Sequence, residues 1–70
     1  MLYDITVIYD PNKKIDEMDI YRETLDYDCN GIGHVQNGIV FCFTDEREAK
    51  EFSEKIRRLE YILQVDVKPF

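Results

Sequence analysis

The sequence predicts an α+β domain in which two helices cover an antiparallel sheet. Three observations support this prediction. Apolar residues alternate with a period of two near the start and the end of the chain, and a third segment is continuously apolar. Between them lie two segments whose apolar residues recur at helical spacing. With 70 residues, we expect residues 1–70 to form a single domain.

Residues 38–59 predict a buried strand that leads directly into an amphipathic helix. Residues 39–43 are consecutively apolar, which suits a central strand with apolar side chains on both faces. Asp45 is a predicted N-cap, and Glu48 stands where a capping box places its acid. The predicted buried stripe of the helix has spacings of three, four and three, at Ala49, Phe52, Ile56 and Leu59.

The first half of the chain predicts a strand, a helix and a short strand. Residues 2–10 alternate as a strand does, and residues 16–26 predict a helix that Asp16 caps. We expect a loop at residues 26–33 and a short strand at residues 34–36. The predicted inward stripe of the first helix consists of Met18, Tyr21 and Leu25.

Asn37 and Gly38 predict a hairpin turn. One geometry is a two-residue type I′ loop, which pairs Gln36 with Ile39 and puts His34 beside Phe41. The other is a type I turn with Gly38 in a bulge, which pairs Val35 with Ile39 and turns His34 outward. We favour the second, because Val35 then joins the apolar face of the sheet.

Residues 63–68 alternate once more and predict the last strand, which Pro69 ends. The element order is therefore βαββαβ. The most economical closure of this order is a ferredoxin-like fold, in which a four-stranded antiparallel sheet carries two helices on one face. The first and third strands are the most apolar, and we expect them in the centre of the sheet.

Fifteen acidic residues against nine Lys and Arg give a net charge of −6. This charge disfavours direct binding to nucleic acid or to an anionic membrane, and favours a basic protein surface as partner. The chain has no long apolar run and no signal-peptide pattern, and its two cysteines lack the spacing of a zinc site or disulfide framework. We therefore expect a cytoplasmic protein without a metal or other cofactor.

Residues 38–49, GIVFCFTDEREA, resemble the third strand and following helix of an RNA-recognition motif. The alignment matches Phe43 and Ala49 to core positions of that family. It places Gly38 and Val40 where the family has the aromatic residues that stack on RNA. The resemblance therefore implies the fold without its RNA-binding platform.

Residues 26–31 resemble the start of an EF-hand calcium loop, D-x-D-x-N-G. The twelfth position of that loop is Asn37 instead of the glutamate that binds calcium through both oxygens. We therefore interpret the segment as a polar turn.

Two residues, His34 and Asp10, are weak candidates for catalysis. His34 is the single histidine, and no serine or cysteine is placed by sequence to pair with it. Asp10 would hold a metal if a dimer brought two copies together, as in small CRISPR-associated nucleases of this fold, but it also suits a turn before Pro11. We expect no enzymatic activity.

The strongest candidate for function is an acidic segment. On a helix, Asp16, Asp19 and Glu23 share one face, which Asp26 extends. Regularly spaced carboxylates imitate a phosphate backbone, and small phage and mobile-element inhibitors, including anti-CRISPR and anti-restriction proteins, use this mimicry. The predicted partner-binding residues are Asp16, Glu17, Asp19, Glu23, Asp26 and Asp28.

The function predicted from this segment is non-catalytic binding to a basic, nucleic-acid-binding surface of another protein. A solvated acidic helix without a partner is the simplest competing interpretation of the same residues. A structural homodimer formed through a sheet edge and a small metal-dependent nuclease are two competing functions for a domain of this size and predicted fold.

Overall fold

A computed structural model describes residues 1–69 and contains four strands and two helices. The strands form one antiparallel sheet in the order β2-β3-β1-β4. The predicted α+β class, with four antiparallel strands and two helices, is confirmed. In chain order the elements are β1 (Tyr3–Tyr9), α1 (Glu17–Arg22), a 3-10 turn (Glu23–Asp26), β2 (Cys29–Val35), β3 (Gly38–Phe43), α2 (Glu46–Arg57) and β4 (Ile62–Pro69).

The core lies between one face of the sheet and the helices. Ile5 pairs with Phe41 and Val7 with Ile39, so the apolar side chains of β1 and β3 meet on this face. The ring of Phe41 contacts Tyr21 of α1 and Phe52 of α2, and both helices therefore pack on the same side. The buried apolar residues are Ile5, Val7, Ile20, Ile39, Phe41, Phe43, Ala49, Phe52, Ile56 and Val65.

The opposite face of the sheet is not covered by any helix of residues 1–69. Its centre consists of half-buried side chains, Ile8 and Thr6 from β1 and Val40 and Cys42 from β3. This explains the continuous apolar run of β3, since both of its faces carry apolar residues. Within the described part of the chain, no helix has the length and apolar character to cross a membrane.

Helix α2 packs as its sequence pattern predicts. Ala49, Phe52 and Ile56 are fully buried, and the Asp45 carboxylate caps the helix by accepting the Arg47 N–H at 2.9 Å. Glu48, however, accepts the backbone N–H of Asp28 at 2.9 Å. Its carboxylate therefore links the N-terminal turn of α2 to the chain before β2. Glu48 does not form the predicted capping box.

Helix α1 is capped by Asp16 as predicted, but its inward stripe was predicted correctly only at Tyr21, which packs against Phe41. Ile20 is the fully buried residue, whereas Met18 is 53% exposed and Leu25 is 81% exposed. The α-helix ends at Arg22, and a 3-10 turn with three residues per turn follows. This short helix is anchored mainly through Ile20, and the side of it that holds Met18 and Leu25 faces solvent.

Strand β2 is longer than predicted. Residues 29–35 pair with β3, so the expected loop at residues 26–33 shrinks to the two residues before Cys29. Glycines are poor strand formers, and Gly31 and Gly33 led to the loop prediction. Here the ladder with β3 overrides that preference. A Cβ atom on either glycine would meet no atom within 4 Å, so packing does not require glycine at these positions.

The hairpin turn also differs from both predicted geometries. Val35 pairs with Gly38 and His34 pairs with Ile39, so the loop residues are Gln36 and Asn37. Asn37 adopts a left-handed conformation with φ of 56°, which asparagine tolerates. This register turns His34 to the helix side of the sheet and Val35 to the open face, so the orientations predicted for both residues are wrong.

Gly38 is required by packing at the start of β3. A Cβ atom on Gly38 would lie 2.5 Å from the Val7 carbonyl oxygen and 2.7 Å from Cδ1 of Ile8. The residue is fully within the sheet and does not have a positive φ. The glycine therefore allows β3 and β1 to approach closely beside the turn.

Candidate protein-binding surface

The six predicted acidic residues separate onto different parts of the surface. Four of them, Asp16, Asp19, Glu23 and Asp26, follow one side of α1 and the 3-10 turn with spacings of three, four and three. With Tyr61, which precedes β4, they form what we call the acidic surface. Glu17 and Asp28 contact other residues and lie outside it.

Tyr61 lies within electrostatic reach of three of these carboxylates. Burial raises the pKa of Tyr61 above its ordinary value of 10.0, and the negative charges of Asp19, Glu23 and Asp16 raise this pKa further. The backbone carbonyl of Tyr61 accepts the Asp10 N–H at 2.8 Å, which fixes this residue against the end of β1. The surface thus combines converging carboxylates with an aromatic side chain held by the fold.

Two basic side chains pair with the acidic surface. Lys55 of α2 places Nζ 3.1 Å from Oδ2 of Asp26 and 3.7 Å from Oε2 of Glu23. The hydrogen bond to Asp26 is the main reason that the pKa of Lys55 is raised. Arg22 pairs with Asp19 at 3.2 Å. Because these pairs are exposed and screened by water, each stabilises the fold little, and a partner's lysines and arginines can replace them at low cost.

Glu17 belongs to a separate polar cluster on the helix side of the sheet. Its Oε2 accepts the Tyr9 hydroxyl at 3.1 Å, and its Oε1 lies 3.9 Å from Nε2 of His34. The Tyr21 hydroxyl is 2.7 Å from the same His34 nitrogen. Burial, followed by the hydrogen bond to Glu17, raises the pKa of Tyr9. These contacts attach α1 to β1 and β2.

This polar cluster was not predicted, because the favoured hairpin geometry places His34 on the outer face. The alternation of β1 already puts Tyr9 on the same face as Ile5 and Val7, and that signal is present in the sequence. The position of His34 depends on the hairpin register, which two geometries left open. Histidine with hydroxyl and carboxylate neighbours can shuttle protons, but no serine or cysteine is among its described contacts.

The calcium-like segment does not form an EF-hand loop. Asn30 and Gly31 lie in strand β2, and Asp26 is engaged by Lys55. The Asp28 N–H donates to Glu48, which orients this residue towards the start of α2. Among residues 1–69, no three His, Cys, Asp or Glu side chains are grouped as metal ligands would be.

Asp10 acts as a turn residue. Its Oδ1 accepts the Asn12 N–H at 2.9 Å, and its carbonyl accepts the Lys13 N–H at 3.2 Å. Its own N–H is held by Tyr61. These hydrogen bonds give Asp10 a structural role in the turn between β1 and Pro11, and this role does not require a metal.

The helix-free face lacks the aromatic platform of an RNA-recognition motif. Val40 occupies one of the platform positions and pairs with Thr6 and Gly33. All aromatic residues of β1 and β3 lie on the helix side of the sheet, because they alternate along each strand with the residues that face the open side. Within residues 1–69, the helix-free face therefore offers no stacking surface to bases.

A shallow groove of about 330 Å³ runs between α2 and the outer end of β4. Its polar groups are turned towards one another: the Tyr3 hydroxyl donates to Glu46 at 3.4 Å, and Arg57 donates to the Val65 carbonyl at 3.1 Å. Tyr3, Glu46 and Arg57 of its lining are therefore engaged, and Lys50 and Glu54 complete its charged lining.

No protein-family model matches the chain, and no curated protein matches its sequence.

Proposed function

We propose that this protein is a non-catalytic protein-binding domain whose acidic surface binds a basic surface of its partner. The observation that supports this proposal is the line of Asp16, Asp19, Glu23 and Asp26 along α1 and the 3-10 turn. Tyr61 is near enough for the charges of three of them to raise its pKa. Carboxylates bind lysine and arginine head groups, and an aromatic ring attracts the same cations through its face.

The regular spacing of the charges supports a proposal for the partner class. Residues three or four apart on a helix place one carboxylate about every 5 Å along its axis, compared with one phosphate per 3.4 Å of a DNA strand. We infer that the acidic surface occupies a basic nucleic-acid-binding surface. The net charge of −6 steers the encounter. In this role the protein would act as an inhibitor, in the manner of phage and mobile-element proteins such as anti-CRISPR or anti-restriction proteins.

Two further proposals accompany this one. We propose that the fold is ferredoxin-like, because the βαββαβ order and the central position of β1 and β3 match that arrangement. We also propose a cytoplasmic location, for which the free thiols of Cys29 and Cys42 are the support.

A four-amide variant tests the binding proposal. The substitutions Asp16→Asn, Asp19→Asn, Glu23→Gln and Asp26→Asn remove four charges and preserve shape, and the asparagine introduced at the N-cap still caps α1. The wild-type protein and the variant are used in parallel as bait in an extract of the native host. We expect a nucleic-acid-binding protein to be captured by the wild type and lost with the variant. Its measured affinity should fall mainly through slower association, and wild-type binding should weaken as salt rises.

A matched control changes the same number of charges elsewhere. Glu46→Gln, Glu51→Gln, Glu54→Gln and Asp66→Asn are exposed positions on α2 and β4, away from Tyr61. This variant should retain capture and most of the affinity. If both variants weaken binding equally, or if the acidic-surface variant binds like wild type, the proposal is wrong.

The four-amide variant also checks the geometry independently of any partner. Three of its carboxylates raise the pKa of Tyr61, so neutralising them should lower that pKa towards 10.0, while burial keeps part of the shift. Spectrophotometric titration of tyrosine ionisation measures this change. An unaltered Tyr61 pKa would show that these carboxylates do not surround the ring.

A further inference from the structure

The two edges of the sheet differ in how they are protected against pairing with another strand. Strand β4 carries Asp66 and Lys68 and ends at Pro69, and charges and proline on an edge discourage pairing. Strand β2, CNGIGHV, has no acidic residue, lysine, arginine or proline. Ile32, Gly33, His34 and Val35 are exposed on it. Strand β2 is therefore the edge that is open to a partner strand.

The sequence of β2 is nearly symmetric about Ile32. Gly31 and Gly33 flank it, and the polar residues Asn30 and His34 stand one position further out, with Asn30 in the irregularity that shifts the register between Cys29 and Gly31. An antiparallel pair related by a two-fold axis places residues that are equally distant from the centre opposite each other. A strand with this symmetry is complementary to a second copy of itself.

We propose that the protein forms a two-fold symmetric dimer in which β2 pairs with β2 of a second copy, centred on Ile32. The two four-stranded sheets then form one continuous antiparallel sheet. Ile32 faces Ile32 of the second copy on the helix side, and Gly31 faces Gly33 on the open side. The dimer is a separate proposal from the acidic surface and does not depend on it.

The apolar residues left exposed beside β2 support this dimer. Ile32 is 47% exposed, and Met18 and Leu25, one turn on either side of Tyr21, are 53% and 81% exposed. The Tyr21 hydroxyl reaches His34, so α1 contacts β2 through this side chain. A two-fold axis through the sheet keeps the helices of both copies on the same face. The two Ile32 side chains then pack against each other and lose exposure to water, and the exposed Met18 and Leu25 of both copies lie on the same face as the new strand pair.

Charge selects a second copy over a basic partner at this edge. No residue of β2 carries a full charge when His34 is neutral, so the paired strands bring no like charges into contact. A basic segment would find no carboxylate on β2 itself. The two copies each carry a net charge of −6, and their long-range repulsion should fall as salt rises. Salt should therefore strengthen the dimer, whereas it should weaken binding through the acidic surface.

Charge substitutions at residue 32 test whether β2 is the dimer edge and whether Ile32 lies at the centre of the strand pair. Sedimentation equilibrium from micromolar to millimolar protein should show a concentration-dependent dimer for the wild type. Ile32→Lys and Ile32→Glu should each weaken it about a hundredfold or more, since two like charges then face each other on the axis. An equimolar mixture of the two variants should associate again, because lysine now faces glutamate.

Leu63→Lys is the matched control on the other edge. Leu63 of β4 is 63% exposed, and its substitution adds the same charge while leaving β2 unchanged. This variant should dimerise like wild type. Circular dichroism verifies that each variant is folded, and hydrogen exchange of the wild type should show β2 amides that become protected as protein concentration rises.

Three results would overturn the proposal. They are a wild-type protein that stays monomeric at millimolar concentration, a Lys or Glu variant that still dimerises, and a Lys–Glu mixture that stays monomeric. The four-amide variant of the acidic surface should still dimerise. Loss of partner binding and loss of self-association therefore report on different proposals.

Discussion

Phe41 of β3 and Phe52 of α2 pack edge to face, with ring centroids 4.9 Å apart and planes at 68°. Phe52 also approaches Phe43 at 5.1 Å and Tyr27 at 6.0 Å. Edge-to-face aromatic pairs add about 0.5–1.5 kcal/mol beyond the burial of their area. Phe52 is thus the side chain through which α2 joins both β3 and the chain before β2.

Phe52→Ala should destabilise the domain by about 3–5 kcal/mol, because it removes a fully buried ring and leaves a cavity. In a small domain whose total stability is about 5–15 kcal/mol, this loss should approach global unfolding. Urea denaturation measures the change. Leu25→Ala is the control, since Leu25 is 81% exposed and should lose less than about 0.5 kcal/mol. A Phe52→Ala protein that melts like wild type would contradict the packing of α2.

The two substitutions Gly38→Ala and Gly33→Ala should differ in effect although both add one methyl group. At Gly38 the methyl would lie 2.5 Å from the Val7 carbonyl oxygen, and relieving that overlap should cost about 1–3 kcal/mol. At Gly33 no atom lies within 4 Å, so the change should be nearly neutral or slightly stabilising. Thermal and urea denaturation of both variants provide the comparison. Equal stabilities would show that β1 and β3 do not approach closely at Gly38.

Alkaline pH should destabilise the protein. Burial is the main cause that raises the pKa values of four tyrosines above 10.0. Burial also raises the pKa of the Cys42 thiol above 9.0. Hydrogen bonding to Asp26 raises the pKa of Lys55 above 10.5. Each folded-state pKa is raised, so the folded state retains protons that the unfolded chain releases. The free energy of unfolding should therefore decline as pH rises beyond about 9. The tyrosines are Tyr3, Tyr9, Tyr21 and Tyr61.

Urea denaturation between about pH 8 and pH 11 measures this decline. Tyr61→Phe removes one of the titrating groups, and its stability should fall less steeply with pH than that of the wild type. Stability that stays constant or rises over this range would contradict the raised pKa values.

The parts of the fold that were predicted correctly depend on strong local periodicity. The alternation of β1 and the stripe of Ala49, Phe52 and Ile56 each repeat often enough to identify the element and its buried face. The first helix is only six residues long, and Met18, Tyr21 and Leu25 fit a helical period about as well as Ile20 does. Burial of Ile20 is decided by tertiary packing, which local spacing does not encode.

The candidate surface was predicted in part. The spacing of Asp16, Asp19, Glu23 and Asp26 was enough to place them on one side, because it needs only a helical path. The involvement of Tyr61 and Lys55 depends on how β4 and α2 pack against that side, and these residues are 29 or more positions away in sequence from Asp26. Contacts of such separation arise from the topology of the sheet, which is why the sequence pattern did not reveal them.

Lys55→Gln should strengthen binding of a basic partner, the opposite direction from the four-amide variant. Lys55 pairs with Asp26 and Glu23, so its removal frees two carboxylates of the acidic surface. The gain should be about two- to fivefold in affinity at low salt, since exposed ion pairs are worth up to about 1 kcal/mol.

The control for this variant is Lys50→Gln, an exposed lysine of the same helix that faces the groove beside β4. Both variants lower the net charge from −6 to −7 by losing one base. If long-range charge alone governs binding, the two should strengthen it equally. If Asp26 and Glu23 contact the partner directly, Lys55→Gln should strengthen binding more, and the difference should diminish as salt rises. Weaker binding by Lys55→Gln would instead place Lys55 itself in the contact and would contradict the acidic surface as the binding site.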